Sequence, residues 1–264
     1  PINDNCSGAL AVEPGTIGSS VLGTISFSSL DTNMNIVCSF GKLNTRIVWY
    51  SLFGTGDIFA LSTCSSVLTF DSTISVLTGT CDVLECLIRG SDVQCDCPEA
   101  PYRSARVVFR TEIGVQYFIA VEGTNYSWAG NFSLNVSPVA PVTNDECSGA
   151  LDIQANAGPV YGTTMNATSS PYMYPISSPD IWYRLEGNGA TTLASLCSTS
   201  TTYDAEVEIY GGDAERCNET LITTTYYDGS CKLQWYATLG VIYYIRVSGW
   251  CGDGDQFELT VTLL

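Results

Sequence analysis

Along most of the chain, apolar and polar positions alternate with period two. Phe132, Leu134 and Val136 fall on one side of a run whose other side is Asn131, Ser133 and Asn135, and Tyr117, Ile119 and Val121 alternate likewise. Such alternation predicts half-buried β-strands. Runs of about five to eight residues, separated by Gly, Ser, Asp and Pro clusters roughly every ten residues, predict β-sandwiches. Helical spacing is confined to about one turn near Cys6 to Leu10.

The pattern occurs twice. Asn3-Asp4-x-Cys6-Ser7-Gly8-Ala9-Leu10 returns as Asn144-Asp145-x-Cys147-Ser148-Gly149-Ala150-Leu151, an offset of 141. Trp49-Tyr50, Cys64, Asp71 and Gly79 match Trp182-Tyr183, Cys197, Asp204 and Gly212 at 133. Gly114-Val115-x-Tyr117 and Phe132-x-Leu134-x-Val136 match Gly240-Val241-x-Tyr243 and Phe257-x-Leu259-x-Val261. The falling offset places extra residues in the first copy, about eight before Trp49 and about ten between Cys81 and Gly114, where surface loops tolerate length changes. The expected organisation is a first sandwich over 1–138, a short stiff Pro-containing linker over 139–142 drawn from Ser137–Val142, and a second sandwich over 143–264.

Composition narrows the chemistry. The 264 residues hold 10 Lys and Arg against 27 Asp and Glu, a formal charge of -17, with no His and 12 Cys. The scattered cations offer no face for phosphates, so nucleic acid and anionic membranes are not expected partners. Without His there is no His triad, His general base or His-containing zinc site. Charged residues make up only 14%, below the roughly 25% of an average domain. The irregularly spaced cysteines read as disulfides of an oxidising, extracellular compartment. No apolar run approaches the length of a membrane span, and a start at Pro1 suggests a processed chain or a fragment.

Read together, the Asn-Asp-x-Cys-x-x-Ala opening, Gly23-Thr24 and Gly162-Thr163, Trp-Tyr, Phe70-Asp71 and Tyr203-Asp204, and the Gly-x-x-Tyr-x-Ile-x-Val ending resemble the bacterial pre-peptidase C-terminal domain. The resemblance covers nearly all of both copies. It implies all-β, jelly-roll-like sandwiches of about eight strands that accompany secreted enzymes or surface proteins without being catalytic. It also implies bridges Cys6–Cys38 and Cys81–Cys86, for which the second copy lacks counterparts of Cys38 and Cys86. Trp49 and Trp182 are expected to fill the sandwich cores. Asp71 and Asp204 read as turn residues whose carboxylates accept backbone N–H groups.

The first copy has seven cysteines (Cys6, Cys38, Cys64, Cys81, Cys86, Cys95, Cys97) and the second five (Cys147, Cys197, Cys217, Cys231, Cys251). Both numbers are odd, so complete pairing within the chain requires a bridge between copies; otherwise thiols stay free or bond neighbouring molecules. By the repeat, Cys64 pairs with Cys95 or Cys97 and Cys197 with Cys231. The remaining Cys95 or Cys97 is expected to reach Cys147 or another cysteine of the second copy.

Asp204-Ala205-Glu206-Val207-Glu208-Ile209 sets three carboxylates on one side of a strand. Paired carboxylates suit glycoside hydrolysis, but the corresponding positions of the first copy are Thr73 and Ser75. A solvated outer face is therefore expected, and an acid hydrolase using Asp204 and Glu206 is the minor reading. Asp253 and Asp255, Gly-spaced after Cys251, are weak calcium ligands, and no other cofactor is expected. Asn-x-Ser/Thr sequons at Asn5, Asn125, Asn131, Asn135, Asn166 and Asn218 are glycosylation candidates given a eukaryotic source. Tyr172-Met173-Tyr174 and Tyr226-Tyr227 could stack on sugars or on a neighbouring subunit, but the expectation is that they lie against their own domain.

These features predict a non-enzymatic extracellular structural or adhesive protein. It would be a disulfide-stapled subunit that self-associates in a filament or sheath, or binds other extracellular matrix components. Assembly by strand addition at sheet edges is one route. The alternative is a carbohydrate- or calcium-binding accessory region of a larger secreted hydrolase.

Overall fold

The computed structural model describes residues 1–13, 18–30, 36–38, 41–43, 45–91, 103–170, 178–212, 220–225, 230–249 and 254–264. They divide into two compact units, Pro1–Ala140 and Pro141–Ser170 with Ser178–Leu264. The first contains β1 (Leu10–Ala11), β2 (Ser19–Thr24), β3 (Val37–Cys38), β4 (Gly41–Lys42), β5 (Ile47–Phe53), β6 (Ile58–Ser62), β7 (Ser72–Thr80), β8 (Val83–Ser91), β9 (Arg106–Arg110), β10 (Gln116–Gly123) and β11 (Asn131–Val139). The second contains β12 (Leu151–Asp152), β13 (Val160–Thr163), β14 (Asp180–Glu186), β15 (Ala190–Ser195), β16 (Ala205–Gly211), β17 (Thr220–Thr224), β18 (Lys232–Ala237), β19 (Ile242–Gly249) and β20 (Gln256–Leu263). One turn of 3-10 helix, Cys6–Gly8 or Cys147–Gly149, opens each.

Each unit is a jelly-roll sandwich. A five-stranded sheet, β1-β5-β10-β7-β8 or β12-β14-β19-β16-β17, faces a four-stranded sheet, β2-β11-β6-β9 or β13-β20-β15-β18. Apart from the short parallel strands β1 and β12, this is the interleaved order of two Greek keys. The β3–β4 hairpin accounts for extra residues before Trp49 and has no counterpart among the described residues of the second unit.

Period two decides which side chains enter the core. Val48, Tyr50 and Leu52 of β5 meet Phe132, Leu134 and Val136 of β11, with Tyr50 and Phe132 edge to face at 6.2 Å. Tyr183 and Phe257 repeat the contact at 6.4 Å. The repeated Gly-Thr step follows from this packing, since a Cβ on Gly23 or Gly162 would lie 2.5 Å from the Phe132 or Phe257 ring. Trp49 and Trp182 have the opposite parity. They are buried, but on the far side of the five-stranded sheet, Trp49 with Cys6, Cys38, Leu43 and Phe118 and Trp182 with Tyr210 and Tyr244. The expectation that they fill the sandwich core is corrected: Tyr50 and Tyr183 do, and the tryptophans anchor an outer layer.

Two further expectations change. The last strand of the first unit continues to Val139, pairing Pro138 with Phe59, so the Pro-containing stretch enters the sheet. Pro138 lies past the last described β2–β11 pair, Val136 with Ser19, and stays in register with Phe59 of β6. The resemblance-derived bridges Cys6–Cys38 and Cys81–Cys86 exchange partners: the structure joins Cys6 to Cys81 and Cys38 to Cys86. Thr80 faces Val83 and Leu77 faces Cys86 in the β7–β8 hairpin, so Cys86 lies roughly 10 Å along β8 from the turn holding Cys81, too far for one disulfide. Both bridges instead tie the layer over Trp49 to this hairpin. Cys197–Cys231 forms as the repeat predicts. Cys64 and Cys147 are also disulfide-bonded; Cys95, Cys97, Cys217 and Cys251, and with them the expected bridge between copies, lie outside the described residues.

Candidate functional site

The acidic run of β16 is not a solvated face. Ala205, Val207 and Ile209 enter the sandwich core, which turns Glu206, Glu208 and Tyr210 toward the outer layer with Trp182. Register places Trp182, Arg246 and Glu208 in one row across β14, β19 and β16, and Asp180, Ser248 and Glu206 in the next. The Arg246 guanidinium donates to Glu208 Oε2 at 2.6 Å and to Asp180 Oδ2 at 2.7 Å, with all three side chains buried. Asp180 also accepts from the Trp182 indole at 2.9 Å and the Ser170 amide at 2.8 Å. Tyr210 donates to Glu208 at 3.1 Å.

Burial opposes the charge on Arg246, yet Asp180 and Glu208 outweigh it and hold its pKa above the arginine norm. Burial, then the Glu208 carboxylate, raises the Tyr210 phenol. Glu206 is pushed from 4.5 up to about 7, first by burial, then by Glu208, with Arg246 opposing and Asp204 adding.

Glu206 is 9% exposed and makes no hydrogen bond among the described residues. It lines a cleft of about 460 Å³ at the end of the second sandwich, beside the exposed Asp204. Leu196, Ala205 and the Cys197–Cys231 bridge supply apolar walls, and Ser198, Thr201, Tyr203 and Thr225 supply hydroxyls. Thr225, which follows β17, lines the cleft beside the edge of β16, and its hydroxyl accepts the Val207 N–H at 3.0 Å.

Sequence reading singled out Asp204, Glu206 and Glu208 but missed Asp180 and Arg246. Their signal lay in the comparison of the copies: Ile47, Ser75 and Ala120 of the first unit become Asp180, Glu208 and Arg246 in the second. Charges replacing neutral residues at three positions of one outer face belong to a single cluster. In the first unit the corresponding layer holds the Arg89–Glu122 pair at 2.8 Å.

Asp71 accepts the Thr124 hydroxyl at 2.8 Å rather than a backbone N–H, and Asp255 accepts the Thr202 hydroxyl at 2.8 Å. Asp253, Asn218 and both Tyr-rich segments lie outside the described residues. Among the described residues no group of three or more acidic, His or Cys side chains is placed to hold a metal. Asn5, Asn125 and Asn131 are exposed, whereas Asn135 is half-buried and donates to the Cys64 carbonyl at 3.0 Å.

A second surface feature recurs in both units. Ile113 is 83% exposed and its counterpart Leu239 75%, each next to a positive-φ glycine, Gly114 or Gly240, in the turn before β10 or β19. The turns are held alike, Gly114 N–H to Gly54 O at 2.9 Å and Gly240 N–H to Gly187 O at 2.8 Å. Leu22 and Tyr161 are exposed at matching places on β2 and β13. Leu87 and Ile222 are the extra residues of bulges at matching steps of β8 and β17.

No protein-family model and no curated protein matches the chain. Solved structures that align with it include the CUB1-EGF-CUB2 domains of rat MASP-1, at 14% identity over 96% of this chain and 99% of that one with a TM-score of 0.24. Another is the CBM22-1-CBM22-2 tandem domain from Paenibacillus barcinonensis Xyn10C, at 9% identity over 96% and 100% with a TM-score of 0.23. Superpositions at these scores carry no argument about this chain.

Proposed function

We propose that the chain is a non-enzymatic extracellular structural or adhesive protein, a disulfide-stapled subunit that self-associates in a surface filament or sheath, with both sandwiches of the pre-peptidase C-terminal kind. The observation that carries this reading is the recurrence of exposed apolar side chains at three matched positions, Ile113 and Leu239, Leu22 and Tyr161, Leu87 and Ile222. A single exposed apolar residue is ordinary on any protein. Three matched ones give each unit the same contact set, which lets both units make like contacts in a repeating assembly.

Bridges closing sequence separations of 75, 48 and 34 residues suit an oxidising exterior. Strand addition at the five-stranded sheets is disfavoured, because one edge strand of each is two residues long and the other is bulged. Association through the exposed side chains of the turns and of β2 and β13 is a route open to both units. Light scattering of the oxidised chain against an Ile113→Ser/Leu239→Ser variant tests it. The wild-type mass should rise with concentration and the variant's should not; a wild type that stays monomeric up to millimolar concentration contradicts the reading.

A further inference from the structure

The second unit buries more negative than positive charge. Asp180, Glu206 and Glu208 are each at most 9% exposed, and the one cation among them, Arg246, is engaged by Asp180 and Glu208. Fully ionised, the cluster carries two more negative charges than positive, and Glu206 is the member with no hydrogen-bonding partner among the described residues. An unpaired buried carboxylate is unfavourable unless a proton or another cation joins it.

We propose that the cleft beside Glu206 binds an alkylammonium group, the charged end of a lysyl side chain or of a free amine, with Glu206 as its partner inside and Asp204 at the rim. The apolar wall of Leu196, Ala205 and the Cys197–Cys231 bridge accommodates the aliphatic stem while the ammonium donates to the carboxylate. A divalent metal fits less well, since Arg246 already engages Asp180 and Glu208. In the first unit Thr73, Ser75 and Ala120 stand at the corresponding places and the buried Glu122 of that layer is paired with Arg89 at 2.8 Å, so no such group binds there. The inference is independent of self-association.

Proton linkage distinguishes this site from an unspecific acidic surface. The groups around Glu206 are Asp204 just before its strand and Glu208 on it, Arg246 and the uncharged Ser248 on β19, Asp180 beyond Ser248, and Thr225 after β17. The proton Glu206 holds below about pH 7 must leave for solvent when the ammonium enters. Apparent affinity then tracks the ionised fraction, rising about tenfold from pH 6 to pH 8.

The test is calorimetric titration of the oxidised 264-residue chain with N-acetyl-lysine methylamide at both pH values, in buffers of different ionisation enthalpy. Binding with proton release and the tenfold rise is expected, with none for the uncharged N-acetyl-norleucine methylamide. Cadaverine binding as tightly identifies free amines as sufficient, and preference for the lysine derivative identifies a protein-borne side chain; either supports the site. Glu206→Gln should remove the proton release and weaken binding at pH 8 at least tenfold. Asp204→Asn, on the exposed rim, should weaken it severalfold without changing thermal stability. Equal binding of the norleucine derivative, unchanged binding by Glu206→Gln, or heat from calcium but not from the amines would overturn the proposal, as would no amine binding at millimolar concentration.

Discussion

The side-chain amide of Asn144 donates to the Trp182 carbonyl at 3.0 Å while the Trp182 N–H donates to the Asn144 carbonyl at 2.8 Å, and Asn3 and Trp49 repeat both bonds at the same distances. The neighbouring carboxylates act alike: Asp4 accepts the amide and hydroxyl of Ser29, and Asp145 those of Thr168. The repeated Asn-Asp-x-Cys opening is thus a clasp that fixes the N-terminal segment over the tryptophan and pins the chain just past β2 or β13. Asn144→Ala would remove a buried hydrogen bond to the Trp182 carbonyl and should lower stability by about 0.5–1.5 kcal/mol, with a similar loss for Asn3→Ala, read in denaturant titrations.

Non-reducing peptide mapping should recover Cys6 with Cys81 and Cys38 with Cys86. Replacing Cys38 and Cys86 together by Ser frees a loop closed across 48 residues, and should cost about 2–4 kcal/mol. The loss should register in thermal unfolding under oxidising conditions and vanish once both proteins are reduced.

Arg246 holds two carboxylates that have no other cation within reach among the described residues. Arg246→Met strands both in the protein interior and should destabilise the second unit by about 3–5 kcal/mol. Adding Asp180→Asn and Glu208→Gln should restore more than half of that, because the penalty belongs to the orphaned charges rather than to lost packing. Unfolding midpoints of the single and triple variants check it.

The raised pKa of Glu206 has a definite sign. The folded chain holds a proton that the unfolded chain releases at 4.5, so this contribution is complete below about pH 4.5 and is lost as pH rises to about 7. Wild type minus Glu206→Gln should show stability falling over that window by on the order of 1–2 kcal/mol once solvent screening at the cleft is allowed for. The difference should be flat above pH 8.

The repeat, the all-β class and the strand parity of Phe132 or Tyr117 were legible because each strand turns one face to a core. Parity could not say which core Trp49 joined, since the five-stranded sheet is covered on both faces and both parities of β5 are apolar. The β16 carboxylates misled for a related reason: polar alternation signals water only when nothing covers the polar side. The disulfide exchange depends on hairpin register, which spacing in sequence does not fix. Asp180 and Arg246 lie 66 residues apart and meet only once β14 and β19 pair.

Self-association of a stapled tandem sandwich is tested most directly by electron microscopy of the oxidised, unmodified chain across a concentration series. Fibres or ordered chains of particles are predicted, reduced to separate particles by Ile113→Ser/Leu239→Ser. Monodisperse single particles at every concentration would contradict the account.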